Sequence, residues 1–206
     1  MRMFLMSFAL AAGAAGQAFA LAVLPAQEAY YTFGAGVSAN TERLLSDKAT
    51  VIGFPGLDTV SFMLFDPAQI AADVPESGGF QAFLVLEHDP DELAGTLIPA
   101  TAARPVSVSA YAVDGVWDPA GGNLADIDYG AGGASVVATT MVGDPGLYSW
   151  DVTDLVSDWR SGVRGLTALA LSGVFGNVNQ DDFNSYAAMH TVGSQTGVAP
   201  FISVQA

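Results

Sequence analysis

The side chains best suited to chemistry gather around one glycine-rich loop. Trp117 and Tyr129 flank Gly121-Gly122-Asn123, and Asp118, Asn123, Asp126 and Asp128 lie between or beside them. An aromatic face meets the apolar CH face of a pyranose, and planar amides and carboxylates bond its hydroxyls, so this set predicts a sugar-binding surface at Trp117, Asp118, Asn123, Asp126 and Tyr129. Trp117 also suits a corner that closes a sandwich, because large aromatic residues are mostly buried. A second oxygen-rich segment, NVNQDDF, places Asn177, Asn179 and Asp181 at alternate positions, with Asp182 beside them. Hard oxygen ligands without any Cys point to calcium rather than a transition metal. The segment lacks the glycine at position 6 and the closing Glu at 12 of a calcium loop, and a solvated turn between two strands fits it better. Asp89, Asp91 and Glu92 in EHDPDE form a similar loop.

Catalysis finds less support. A glycosidase needs two carboxyl groups about 5–10 Å apart, a spacing that some pair among 21 acidic residues meets by chance. No G-x-S-x-G elbow is present, and His88 and His190 stand far apart in the chain. His190 gains a carboxylate partner only if folding carries Asp181 or Asp182 to it. The glycines at Gly34-Ala35-Gly36 and Gly130–Gly133 lack the Lys-Ser/Thr of a phosphate cradle and read as turns.

The element that must organise these loops lies in GLYSWDVTDLVSDWRSG, residues 146–162. Tyr148, Trp150 and Val152 alternate as in a strand. Val152, Leu155, Val156 and Trp159 then fall at i, i+3, i+4 and i+7, one stripe of a helix. Asp151 or Thr153 suits the helix start and Gly162 its end. One short helix among many strands must cover something, and one end of a β-sandwich is the expected place. Trp150 and Trp159, on the apolar stripes, are expected in the core.

Strand-like runs follow one another: residues 49–54, 58–66, 79–87, 105–113, 135–141, 147–152, 166–174, 183–190 and 200–205. Residues 79–87 carry a continuous apolar stretch suited to burial on both sides, whereas 67–78 and 88–104 read as loops. Twenty-three glycines and ten prolines spread along the chain demand many turns. The expected fold is all-β: a single antiparallel β-sandwich, jelly-roll-like, with one short helix near 152–161.

Residues 1–20 read as a signal peptide. Arg2 precedes an apolar run, and Ala18-Phe19-Ala20 forms an A-x-A cleavage site, with Ala20-Leu21-Ala22 a near-equal second. The run is short for a membrane span. The expectation is a single domain over 21–206, secreted, periplasmic or at the cell surface, with no membrane insertion once the signal is removed. Its removal lowers the basic count from 6 to 5 against 21 acidic residues, a formal charge of −16. That field repels nucleic acid and anionic surfaces, and opposes anionic polysaccharides unless a divalent cation intervenes. With no Cys to form disulfides, about 185 residues must hold by packing alone, which that length permits.

In order and content these pieces resemble the DNRLRE-type, disaggregatase-related domain, an exported β-sandwich grouped with carbohydrate-binding modules. SWDVTDLVSDWRSG is similar to its most recognisable segment, and PVSVSAYAVDGVWDP resembles its preceding strand and Trp-x-acidic loop, placing Trp117 and Asp118. DIDY sits where relatives carry a Val-Thr-Trp piece, with Tyr129 standing for that Trp. DTVSFMLFD and DDFNSYAAM resemble an early and a late strand, although Ser61-Phe62 and Tyr186-Ala187 depart from the charged residues usual there. The resemblance implies an exported module that attaches to an extracellular or cell-wall polysaccharide, with calcium as a candidate helper. A structural cell-surface or matrix protein and a small polysaccharide-degrading enzyme are the alternatives.

Overall fold

The computed structural model describes residues 21–32, 37–39, 50–52, 59–76, 79–89, 98–114, 136–173, 185–190 and 197–205. These residues include thirteen strands and two short helices. In chain order the strands are β1 (Leu21–Val23), β2 (Pro25–Thr32), β3 (Val37–Ala39), β4 (Thr50–Ile52), β5 (Thr59–Phe65), β6 (Gln81–His88), β7 (Ile98–Pro99), β8 (Val106–Ala112), β9 (Val136–Val142), β10 (Gly146–Asp151), β11 (Ala168–Gly173), β12 (Ser185–Met189) and β13 (Phe201–Gln205). Helix α1 (Pro67–Asp73) follows β5, and α2 (Thr153–Ser161) follows β10.

The strands form two sheets of antiparallel strands, in a sandwich-like all-β fold. One sheet runs β3-β2-β5-β11-β8-β9. The other is centred on β6, which pairs along one side with β10 and along the other with β13 and, through His88, with β12. β1 extends it beyond β13, and β4 beyond β12. The two-residue β7 pairs with β12 in parallel, an exception to the antiparallel pattern.

Alternation along each strand sends one set of side chains between the sheets. Met63 and Phe65, Leu169 and Leu171, and Val108 and Ala110 come from one sheet; Ala82, Leu84 and Leu86, Met189, and Ile202 and Val204 come from the other. Trp150 joins the layers by packing and by hydrogen bond: its ring is fully buried, and Nε1 donates to Val108 O across the core at 2.8 Å.

The predicted helix stripe is observed: Val152, Leu155, Val156 and Trp159 are all buried. Gly162 ends α2 with φ 73°, in the left-handed region. Val163 N donates to Asp158 O and Gly162 N to Trp159 O, which closes the last turn. α2 packs beside α1, and the Trp159 ring lies 5.7 Å from that of Phe65.

Three expectations need correction, and one stretch holds strands for which the sequence raises no expectation. Residues 67–73 are a helix rather than a loop: Asp66 caps it by accepting from Ala68 N at 2.8 Å, and Pro67 is preorganised for its first turn. With Ile70 as its buried residue, α1 is too short to show a periodic stripe. β1, β2 and β3 lie in a stretch that carried no strand expectation; β2 begins with Pro and mixes polar residues, and its pairing with β5 is a backbone matter. The supposed loop over 88–104 contains β7 and a Thr101–Arg104 bridge. β6 is not buried equally on both sides: Ala82, Leu84, Leu86 and His88 are buried, while Phe83, Val85 and Glu87 are half-buried.

Candidate functional site

Where β10 passes into α2, the backbone changes period and its polar groups need new partners. Asp151, the last residue of β10, supplies them: Oδ1 accepts from Thr153 N at 3.0 Å and from Thr153 Oγ1 at 2.6 Å. Val152, the cap position itself, makes no side-chain bond, so capping is delegated to its neighbour. Thr153 Oγ1 also accepts from Ala82 N at 2.9 Å, and Val152 N donates to Ala82 O at 2.9 Å. These bonds clip the start of α2 to the start of β6.

An open surface groove of about 460 Å³ lies along this clip, lined by Phe80, Gln81, Val137, Asp151, Thr153 and Asp154. Phe80 is half-buried and packs on the core, whereas Gln81, Asp151 and Asp154 reach solvent. The groove thus combines an aromatic ring, a planar amide and two carboxylates, the types of group that bind sugar rings and hydroxyls. Sequence reasoning missed it because Phe80 and Gln81 were absorbed into a buried strand. The available signal is the polar Gln81 at the head of the apolar run.

Trp117, Asp118, Asn123, Asp126 and Tyr129 lie outside the described residues, as do Asn177, Asn179, Asp181 and Asp182. Among the described residues, no three His, Cys, Asp or Glu side chains converge to hold a metal.

The two histidines, distant in sequence, meet at one end of the β6 sheet. Met189 pairs with His88, and His190 N donates to Glu87 O at 3.0 Å. His190 is 2% exposed, and its Nε2 lies 3.2 Å from Asp89 Oδ2. Its described carboxylate partner is therefore Asp89. The imidazole lies against Gly197, where a Cβ would fall 2.1 Å from Cδ2. Glu87 accepts from Val198 N through its carboxylate. The ends of β6 and β12 thereby hold the approach to β13, a packing role that leaves the ring little access to solvent.

Two arginines are committed elsewhere. Arg160 donates through Nε to Val74 O at 2.8 Å and pairs through Nη2 with Glu76 at 3.0 Å, tying α2 to the end of α1. Arg164 pairs with Asp114 and, at 3.2 Å, with Asp158. The Asp114 hydrogen bond is the largest influence on the Arg164 guanidinium; with the charges of Asp114 and Asp158 it raises the pKa against the opposing effect of burial. Among the described arginines, Arg104 alone lies outside an ion pair.

Neither the models of known protein families nor the curated proteins contain a match to this chain, so the likeness to a DNRLRE-type domain rests on its residues alone.

Proposed function

We propose that the mature chain is an exported carbohydrate-binding-type β-sandwich module that attaches to an extracellular or cell-wall polysaccharide. The observation that carries this reading is the groove at the β10–α2 junction, where Phe80 offers an aromatic surface beside Gln81, Asp151 and Asp154. Groups of this kind, held on strand ends and a capped helix, give a ligand fixed hydrogen-bond directions. The charge narrows the ligand class. With −16 on the mature chain and Arg160 and Arg164 held in ion pairs, an anionic polymer has little to bind directly. A neutral glycan suits the surface better, and an acidic one needs a bridging cation such as calcium. Trp117 and Tyr129 of the glycine-rich loop remain the second candidate contact for the same class of ligand.

The test is electrophoresis of the chain from Leu21 to Ala206 through gels containing neutral or acidic polysaccharides, with calcium and with chelator. Selective retardation by one polymer supports binding, and its loss under chelator assigns a role to the cation. Retardation abolished by Gln81→Ala and Asp154→Asn places the ligand in the groove. Loss confined to Trp117→Ala, in a folded protein, moves it to the loop. Absence of retardation by every polymer overturns the proposal in favour of a structural surface domain. Release of reducing ends from a polymer would instead mark an enzyme.

A further inference from the structure

Two peptide bonds fit a signal peptidase, one after Ala20 and one after Ala22, and the fold separates their products. β1 pairs with β13 through Leu21↔Val204, Ala22↔Ser203 and Val23↔Ile202. Leu21 is 45% exposed and Ala22 is exposed, whereas the Val23 side chain is fully buried in the core between the sheets.

Hydrolysis after Ala20 leaves all three pairs and puts the new ammonium on a residue at the solvent-facing end of the strand. Hydrolysis after Ala22 removes two of the three pairs. It also makes the chain start at the one β1 residue whose side chain anchors in the core, with the single pair Val23↔Ile202 left to hold it. Val23 must then either stay seated beside a charged terminus or withdraw and open the core edge next to Ile202 and Val204.

From this geometry we infer that the mature chain begins at Leu21. A signal peptidase hydrolyses the Ala20–Leu21 bond; water supplies the hydroxyl to the Ala20 carbonyl carbon and the proton to the Leu21 nitrogen. The peptidase meets the chain before it folds, so the fold selects among the products: the Leu21 product completes β1 and persists, whereas a Val23 product keeps one pair and is lost to proteolysis of its opened state. The inference rests on the export part of the proposed function and is independent of the ligand.

The experiment expresses the chain from Met1 in a secreting bacterial host and reads the exported protein by N-terminal sequencing and intact mass. The expected terminus is Leu21. Ala22→Gln, which spoils the second bond at an exposed position, leaves that terminus unchanged. Ala18→Gln spoils the first bond alone, and any product it yields starts at Val23 and unfolds at a lower urea concentration than the Leu21 product. A wild-type terminus at Val23, or a Val23 product as stable as the Leu21 product, overturns the inference. An exported chain still beginning at Met1 overturns the inference and the cleavable signal together. A Leu21 terminus without polysaccharide retention supports the inference while the ligand reading fails.

Discussion

Trp150 and Trp159 are both buried, but their indole N–H groups have different fates, and replacing each with Phe separates packing from hydrogen bonding. Trp150 donates to Val108 O at 2.8 Å across the core, whereas Trp159 Nε1 is buried with no hydrogen-bond partner. Each Trp→Phe change removes about three heavy atoms, a transfer and cavity loss of roughly 1–3 kcal/mol that is similar for both. Trp150→Phe additionally loses a buried hydrogen bond worth about 0.5–1.5 kcal/mol, and the carbonyl it leaves stays within a strand pairing that softens the loss. Trp159→Phe removes a donor that gains nothing in the folded state and costs desolvation, so it recovers about 1 kcal/mol of that penalty. Trp150→Phe should therefore be the more destabilising by about 1–2 kcal/mol. Urea unfolding followed by far-UV circular dichroism measures this without relying on the replaced fluorophores, and a shared slope lets the midpoints be compared directly. Equal losses, or a larger one for Trp159→Phe, would refute the reasoning from the N–H groups. Trp159→Ala should cost about 3–5 kcal/mol, and full stability in that variant would sink the docking of α2 on Phe65.

The latch at β13 is tested by Gly197→Ala, whose methyl group collides with the His190 ring. It should cost about 1–3 kcal/mol in urea unfolding, and combining it with His190→Ala should cost less than the two single losses together. Gly162→Ala forces a side chain into the left-handed region at the end of α2 and should cost about 1 kcal/mol, with Gly162→Asn milder; equal midpoints for Gly162→Ala and the parent would contradict the cap geometry. Thr153→Ala removes the hydroxyl that joins Asp151 to Ala82 N and should lower stability by about 1 kcal/mol, whereas Thr153→Ser should keep most of it.

The amphipathic segment was legible because its signals agree: the stripe of Val152, Leu155, Val156 and Trp159, and Gly162 past its end, all specify one helix. The strand runs around Val108, Leu169 and Ile202 were legible for the same reason, as apolar residues that can occupy one buried face. Of the two candidates for the helix start, Asp151 and Thr153, both take part, because the carboxylate needs the hydroxyl to fix it. α1 was not legible, since seven residues with one buried side chain carry no period. The Asp89–His190 contact was hidden for a different reason. It depends on the register of β12 against β6, which is a property of the whole sheet rather than of either segment.

The groove raises the question of whether its polar wall exists for a ligand or only for the helix. Asp151 and Thr153 are fully explained by the cap and by Ala82, so their presence argues for neither. Asp154 lies in the first turn of α2, where a carboxylate gains about 0.3–1 kcal/mol from the helix dipole, and Gln81 has an exposed side chain at the first position of β6. Neither Gln81 nor Asp154 contributes to the clip between strand and helix, so each can be changed with the groove left standing. Gln81→Ala should change stability by less than about 0.5 kcal/mol, and Asp154→Asn by no more than about 1 kcal/mol. A loss of glycan retention in these two variants, at nearly unchanged urea midpoints, can come only from contacts with the ligand. Retention that survives both changes but falls with Thr153→Ala would mean that the groove serves the fold and that any ligand is held elsewhere.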